Sequence, residues 1–395
     1  MLGLTILAGA FLRWYRLDFQ SVWLDEAYSI RVALLSLPDA TKAAQLDVHP
    51  PLSYILLHFW VGLFGTTEIA VRSLSVLMGL LTIPAIYALG RALYDSSEVG
   101  ALASLLLAVS YFHIRYSQET RAYSLMVLLA ILSMFWYLQL LAKGRAKYGF
   151  LYSVTTVLLT YTHYYGLFVP LVQNLVFALY WKRNKPRLKL WLATQLILGL
   201  VYLPWVTSTF QQTSLKHGIS HYVPASFGTL VSLFTEFSNR RMSLLWGFGI
   251  LVLIELFSIT KTGGSFNWKE PLQSLETFSW RLSLSRLQPT ILLGLWLVVP
   301  IVVSFALEGI LPTFTYKNAI VSLPGFLILA ARGLKNIDLP AIRWVVVIGL
   351  VVLALRSLGP YYRTVATEQW RDATMFVERN YKPGDLILFD VGYTR

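Results

Sequence analysis

Apolar segments alternate with short polar ones along almost the whole chain. We place eleven apolar segments at residues 1–14, 70–92, 97–112, 121–141, 148–162, 164–181, 188–206, 243–260, 289–307, 317–331 and 342–358. Several are shorter than the roughly 20 residues with which an α-helix crosses the hydrocarbon core of a bilayer. Helices are still expected, because a helix satisfies its backbone polar groups within the segment. The pattern predicts an all-α polytopic integral membrane protein with about 11 transmembrane helices.

The polar connections between these segments fall into two sets that differ in charge. One set is rich in Lys and Arg and comprises residues 143–147, 181–189, 261–286 and 332–343. Cytoplasmic loops carry an excess of Lys and Arg, so this set is expected in the cytoplasm. The other set is expected outside and comprises residues 15–69, 113–120, 162–164, 207–242, 308–316 and the C-terminal tail.

Residues 52–64 are apolar and could be read as a further span. The stretch is too short to cross a bilayer, and a crossing here would move every later basic loop to the outside. We therefore expect an interfacial helix on the outer surface, which makes residues 15–69 one external loop.

The end of the chain departs from the apolar pattern. We expect residues 1–358 to form the transmembrane domain and residues 359–395 to begin an external soluble α/β domain. Residues 368–379 are typical of an amphipathic helix, and residues 386–389 of a short strand. Because a lone strand has no partner, we expect this domain to extend beyond Arg395.

Composition agrees with the membrane class. The chain of 395 residues is 56% hydrophobic and 13% charged, about half the charged share of a typical soluble domain. Its net charge of +13 comes from Lys and Arg in loops, which favours membrane topology and anionic lipid or phosphate over nucleic acid. The absence of Cys excludes a disulfide framework and thiolate chemistry.

The early external loop gathers the acidic candidates. Asp25 and Glu26 follow the first apolar segment, and one of them could act as general base toward a hydroxyl or amine. Equally, they could be first-turn acids of a helix over residues 27–37. Asp47 and His49 precede two prolines that restrain the backbone, which could hold a side chain in place to bind phosphate or metal. Alternatively, the segment is simply a turn before a helix.

Basic candidates occupy the other external loops. Arg115 and Arg121 could clamp a phosphate, with Glu119 paired to either of them or joined to the acidic site. His163 could join a phosphate or metal site. Tyr316 and Lys317 open the tenth apolar segment, where Lys317 could meet a lipid phosphate. The alternative for these cations is a side chain that reaches the headgroup level without a specific role.

Taken in order, these strings resemble the family of protein O-mannosyltransferases and related bacterial lipid-linked glycosyltransferases, including the aminoarabinose transferases that modify lipid A. The resemblance covers about residues 1–390. The strings are Asp25-Glu26, Asp47-Val48-His49-Pro50-Pro51-Leu52, Val71-Arg72-Ser73-Leu74, the octapeptide of residues 116–123 and the Tyr316-Lys317 pair with Leu323-Pro324.

The resemblance implies the GT-C fold and a polyprenyl-phosphate monosaccharide as donor. It implies Asp25 as the base that activates an acceptor hydroxyl for inverting attack, and Glu26 as a residue that holds the acceptor. The leaving polyprenyl phosphate would be stabilised by His49 with Arg115, Arg121 or Lys317, where Arg is commoner than Lys at the last position. Some relatives bind a divalent metal, for which the candidate ligands are Asp47, Glu119 and His163.

Partners and location follow from the same resemblance. The acceptor would be a hydroxyl on protein, lipid A or glycan, and the chain would lie in the inner membrane of a bacterium with its site on the periplasmic face. The sequence has no Walker loop, GxGxxG, HExxH or GxSxG in a credible context, which disfavours nucleotide cofactors. The alternatives are a transporter or flippase of lipid-linked saccharides, for which Glu255 is the clearest intramembrane carboxylate, and a non-catalytic binder of polyprenyl phosphate.

Overall fold

The computed structural model describes residues 1–216, 225–256, 261–262, 279–280, 284–308, 314–365 and 367–387. Within this part the chain is almost entirely helical, as the apolar pattern predicts. Three short 3-10 helices lie at Tyr164–Leu167, Lys185–Arg187 and Asn318–Ser322. Two strands of two residues each, Lys261–Thr262 and Ser279–Trp280, pair antiparallel.

Eighteen α-helices occupy the described ranges, and we number them in chain order. The first nine are α1 (Leu2–Trp14), α2 (Leu24–Ala33), α3 (Leu37–Leu46), α4 (Leu52–Phe64), α5 (Glu68–Tyr94), α6 (Ser97–Ala108), α7 (Tyr111–Ser117), α8 (Tyr123–Lys143) and α9 (Ala146–Thr160). The others are α10 (Phe168–Leu179), α11 (Trp181–Asn184), α12 (Leu188–Lys216), α13 (Phe227–Phe237), α14 (Met242–Leu256), α15 (Leu284–Ala306), α16 (Leu323–Lys335), α17 (Pro340–Tyr361) and α18 (Trp370–Asn380).

Each of the eleven predicted apolar segments contains a helix. Among the described residues, five helices are long and apolar enough by themselves to cross a membrane, namely α5, α8, a helical stretch over Trp181–Gln212, the Gln288–Ala306 part of α15, and α17. The bent pair α6–α7 adds a sixth if it is one span. The remaining apolar helices are shorter. Breaks and 3-10 turns divide some of the apolar segments that are continuous in the hydropathy pattern.

The core is built around α5, α8 and α16, which are apolar on almost every side. Helix α16 is buried along nearly its whole length, and α8 is buried along most of its N-terminal half. A helix that is apolar all round belongs in the interior of a bundle. Helices α1, α12 and α17 instead expose rows of large apolar side chains, such as Leu4, Leu196 and Val345. Such rows suit contact with lipid tails.

The predicted span 97–112 is broken, and a buried arginine stabilises the break. Helices α6 and α7 meet at an angle of 62°. Arg13 is fully buried and donates to the carbonyls of Leu107 and Ala108 at 3.2 and 3.1 Å, and to Nδ1 of His113 at 2.9 Å. The guanidinium thus satisfies carbonyls at the C-terminal end of α6 and complements its dipole. Residues 113–117, predicted as loop, therefore lie in the short helix α7.

Two predicted external loops also contain more helix than expected. Helix α12 continues to Lys216 and α13 spans Phe227–Phe237, so the predicted loop 207–242 is largely helical where it is described. The loop 15–69 holds α2, α3 and α4, and α4 matches the expected short helix. Local propensity and amphipathic packing form these helices, which hydropathy averaging does not detect.

In the C-terminal tail, the predicted amphipathic helix is present. Helix α18 lies where an amphipathic helix is predicted, with every residue exposed. Leu386 and Ile387 are not in a strand, and the other two residues of the predicted strand lie outside the described part.

We predict that Gly333→Ala destabilises the bundle. A Cβ at this position of α16 would lie 2.0 Å from the carbonyl oxygen of Leu251 in α14, and overpacking of this kind costs about 1–3 kcal/mol. Thermal unfolding in detergent measures the effect. Gly349→Ala in α17 is the matched control, since no atom lies within 4 Å of its Cβ. Equal midpoints for the two variants would contradict the close packing of α14 and α16.

Candidate functional site

Asp25 lies at the centre of a cluster of charged side chains at one end of the bundle, which was predicted to face outside and is called the outer end. It is in the first turn of α2, where the helix dipole favours a carboxylate, and its side chain is 30% exposed. Nζ of Lys317 lies 3.3 Å from Oδ2 of Asp25, and Nη2 of Arg121 lies 3.8 Å from the same oxygen. Two cations that are far apart in the sequence therefore converge on one carboxylate oxygen.

Arg121 joins Asp25 to a second acidic group. Its Nη1 donates to the carbonyl of Asp25 at 3.1 Å and to Oγ of Ser29 at 3.3 Å, while Nη2 lies 3.5 Å from Nε2 of His49. On the far side of the imidazole, Nδ1 of His49 lies 3.4 Å from Oδ2 of Asp47. The hydroxyl of Tyr54 donates to that same oxygen at 2.7 Å.

These contacts determine the proton positions at His49. Burial raises the pKa of Asp47, but the hydrogen bonds from His49 and Tyr54 and the charge of His49 outweigh it, so that this pKa is lowered. An ionised Asp47 can only accept, which assigns a proton to Nδ1 of His49.

His163 stands behind His49, away from Asp25. The two imidazole rings are edge to face with centroids 5.2 Å apart, and Nδ1 of His163 accepts from the backbone N–H of Tyr165 at 3.1 Å. His163 is 3% exposed, so it packs against His49. Tyr316 is similarly a packing residue beside Phe112, at 6.4 Å between ring centroids, although Lys317 next to it reaches Asp25.

Glu26, next to Asp25 in sequence, pairs with Arg72. It is fully buried, and both its oxygens accept from Arg72, at 2.9 Å from Nε and 2.6 Å from Nη2. Oε1 also accepts from the backbone N–H of Thr120 at 2.8 Å. With its oxygens engaged inside the protein, Glu26 holds in place the helix that carries Asp25, and its contact with an acceptor stays a prediction. The sequence pattern contains Arg72 in one of the strings that carry the resemblance but does not predict its pairing with Glu26, although a charged side chain in the first turns of an apolar segment is a usable signal.

Arg115 and Glu119 form a separate pair on the other side of Trp23. Nε of Arg115 lies 3.3 Å from Oε1 of Glu119. Burial raises the pKa of Glu119 to about 7, since the opposing effect of Arg115 and Lys317 is smaller and Glu26 adds a like charge. Arg115 therefore does not join Arg121 and Lys317 around Asp25.

An apolar cavity adjoins the Asp25 cluster. It lies between α2, α4, α5 and α8. Its walls are mainly Leu56, Leu57, Leu74, Met78 and Leu125. Its polar part is formed by His49, Arg121 and nearby serines, so an apolar ligand with an anionic end would match it.

The candidate metal ligands do not come together. Within the ranges that the structure describes, there is no group of three His, Cys, Asp or Glu side chains that could hold a metal ion. Asp47 and Glu119 instead pair with His49 and Arg115.

Comparison with protein families gives a match to one family model. Residues 48–207 match the model described as dolichyl-phosphate-mannose-protein mannosyltransferase. The resemblance read from the sequence is thereby confirmed. The matched segment contains His49, Arg72, Glu119, Arg121 and His163, but not Asp25 or Lys317. A comparison with curated proteins finds no match.

Solved structures share the fold. ArnT from Cupriavidus metallidurans bound to undecaprenyl phosphate superposes with a TM-score of 0.59 at 15% identity, over 90% of this chain and 64% of that one. The archaeal oligosaccharyltransferase AglB from Archaeoglobus fulgidus, in complex with an inhibitory peptide and a dolichol-phosphate, is also similar. It superposes with a TM-score of 0.57 at 14% identity, over 97% of this chain and 58% of that one. This chain thus spans roughly three fifths of each relative's length. The predicted GT-C fold is confirmed.

We predict that Arg72→Met strongly destabilises the protein. The change leaves Glu26 charged, buried and unpaired, which costs about 3–5 kcal/mol. The double variant Glu26→Gln, Arg72→Met removes the stranded charge and should recover part of this loss. Thermal unfolding of the native protein, both single variants and the double variant in detergent completes the cycle. Additive effects of the two changes would contradict the paired role.

We also predict that Glu119 makes stability fall as the pH rises. Its carboxyl holds a proton up to about pH 7 in the folded protein, against an ordinary pKa of 4.5, so the stabilisation is complete below pH 4.5 and is lost as the pH rises through 7. The native protein should therefore lose up to about 3 kcal/mol relative to Glu119→Gln between pH 5 and 8. Parallel curves of unfolding midpoint against pH for the two proteins would show that Glu119 titrates normally.

Proposed function

We propose that this chain is a membrane glycosyltransferase that moves a monosaccharide from a polyprenyl-phosphate donor to an acceptor hydroxyl. The observation that carries the proposal is one carboxylate, Asp25, between Lys317 and Arg121 at the polar end of an apolar cavity. The family match and the shared fold support it, since the similar structures are described with undecaprenyl phosphate and dolichol-phosphate.

The donor's two parts match two adjoining regions. Its prenyl chain would lie in the apolar cavity beside α4, α5 and α8. Its phosphate would bind Arg121 and Lys317, with the Asp47–His49 pair behind Arg121. Lys317 offers a point charge where the family more often has the fork of an arginine, so Arg121 would supply the bidentate contact.

Asp25 is the group placed to act as base. In the proposed reaction it takes the proton of the acceptor hydroxyl, and the oxygen attacks the anomeric carbon on the face opposite the phosphate. The bond from that carbon to the phosphate oxygen breaks, so the configuration inverts and polyprenyl phosphate leaves. Arg121 and Lys317 stabilise the charge that develops on the departing phosphate.

We further propose an orientation with Asp25 on the outer, periplasmic face of a bacterial inner membrane. The opposite end of the bundle gathers the ion pairs of Glu98 with Lys335 and Arg343, and of Glu255 with Arg332. Basic residues concentrate there, as the positive-inside rule expects. The acceptor would then be a hydroxyl of a protein, lipid A or a glycan on the outer side.

The transporter alternative has less support. It requires an ionisable group near the middle of the bilayer, and Glu255 is the strongest candidate in the sequence. Glu255 instead lies at the penultimate position of α14, where it contacts Tyr94 at the end of α5 and Arg332 in the last turn of α16. This carboxylate therefore belongs to the ion pairs at the inner end.

The first test is sugar transfer in proteoliposomes from radiolabelled polyprenyl-phosphate monosaccharides. Asp25→Asn should lower the rate by about 10²–10⁴-fold, because it removes the base but keeps the shape of the side chain. Binding of the labelled donor should persist. Asp39→Asn, an exposed aspartate in α3, is the matched control and should transfer normally. Donor binding by the native protein with no transfer to any acceptor class would overturn the proposal in favour of a transporter or binder.

A further inference from the structure

A second cavity lies beside the Asp25 cluster, on the other side of Trp23. It lies between the loop after α1, the C-terminal end of α7 and the C-terminal end of α17. Arg16, Trp23, Arg115, Gln118 and Glu119 line it, together with aromatic residues of α17. Its lining therefore includes more charged side chains than that of the apolar cavity beside α4.

Two buried polar atoms of this lining have no hydrogen-bond partner within the described part of the chain. They are Nε1 of Trp23, which can only donate, and Oε2 of Glu119. Glu119 is 7% exposed, and its other oxygen is engaged by Arg115. An unpaired buried polar group costs about 1–3 kcal/mol, so each atom requires a partner that the described residues do not supply. A hydroxyl both donates and accepts, and could pair with either.

The rest of the lining suits a ring with several hydroxyls. Trp23 contributes a flat apolar surface, and Arg115 adds donors to those of the indole. Arg16 has a φ of +54°, a left-handed conformation that is unfavourable for arginine, and its guanidinium lies 3.7 Å above the ring of Phe19 at the cavity wall. Such backbone strain is found most often where a side chain is held for binding.

Trp23 connects this cavity to the reacting centre. It precedes Asp25 by two residues, and Nζ of Lys317 lies 5.6 Å from its ring centroid and 3.3 Å from Oδ2 of Asp25. A ligand in contact with the indole is therefore next to the proposed site of transfer. The two cavities are complementary, since the apolar one can take a lipid chain and the polar one a hydrophilic group.

We propose that this second cavity is a subsite for a sugar ring, in which Nε1 of Trp23 donates to one hydroxyl and Oε2 of Glu119 forms a hydrogen bond with another. The inference rests on the proposed glycosyltransferase function and assigns a specificity site to it. The ring could belong to the donor or to a glycan acceptor, because both present the same hydroxyl chemistry. Both sources can be separated by experiment.

The test uses Trp23→Phe, which removes the N–H and keeps an aromatic ring, and Glu119→Gln, which keeps the shape of the side chain. Direct binding of undecaprenyl phosphate and of undecaprenyl-phosphate mannose and glucose is measured for the full chain in detergent. If the donor's sugar occupies the cavity, each variant binds one or both sugar-bearing lipids about 10-fold more weakly and bare undecaprenyl phosphate as tightly as the native protein.

If an acceptor glycan occupies the cavity, binding of all three lipids is unchanged and the KM for the acceptor in the transfer assay rises about 10-fold. Native values for donor binding and for the acceptor KM in both variants would overturn the subsite. Trp246→Phe and Glu378→Gln, at exposed positions of α14 and α18, are the matched controls.

The design separates this inference from the function on which it rests. Loss of transfer in the native protein overturns the glycosyltransferase, whereas the lipid-binding comparison does not require turnover. Thermal unfolding identifies a variant that fails to fold, and the other variant then decides the outcome.

Discussion

The ion pair of Glu26 and Arg72 is the interaction on which the structure around Asp25 depends. Besides both oxygens of Glu26, Arg72 binds the carbonyls of Leu17 and Gln20 at 2.9 and 2.8 Å and that of Ser21 at 3.1 Å. One guanidinium on the rigid helix α5 therefore fixes both the loop before α2 and the first turn of α2. A charge buried this deeply is tolerated because every donor and acceptor is matched.

The same loop is held from the outside by the C-terminal segment. Arg371 donates to the carbonyl of Asp18 at 2.7 Å, pairs with Glu68 at the start of α5, and its N–H donates to Oγ of Ser21 at 3.0 Å. Glu368 accepts from the N–H of Leu24 at 3.2 Å, the first residue of the helix that carries Asp25. Residues far apart in sequence thus converge on one short loop, which couples the position of the carboxylate to the segment after α17.

Much of the fold could be predicted from hydropathy alone, since each of the eleven apolar segments contains a helix. The break between α6 and α7 could not, because it depends on Arg13 from a different helix. At the site, Asp25, Arg121 and Lys317 were identified as residue types in external loops, and the structure brings them together. The pairing of Glu26 could not be predicted because two adjacent carboxylates look alike in the sequence. The helical turn directs Asp25 to Lys317 and Arg121, and Glu26 to Arg72.

Asp25 and the donor phosphate would compete for the same two cations, Lys317 and Arg121, and this competition gives the proposed reaction an order. Both cations lie within 4 Å of Asp25, so its carboxylate is held in salt bridges. In the proposed reaction, a donor phosphate at the same place would compete for these cations and weaken their hold on Asp25. The carboxylate would then be free to meet the acceptor when the leaving group is bound, which disfavours activation of an acceptor without a donor. Charge competition at one oxygen would thereby link donor binding to the proposed transfer.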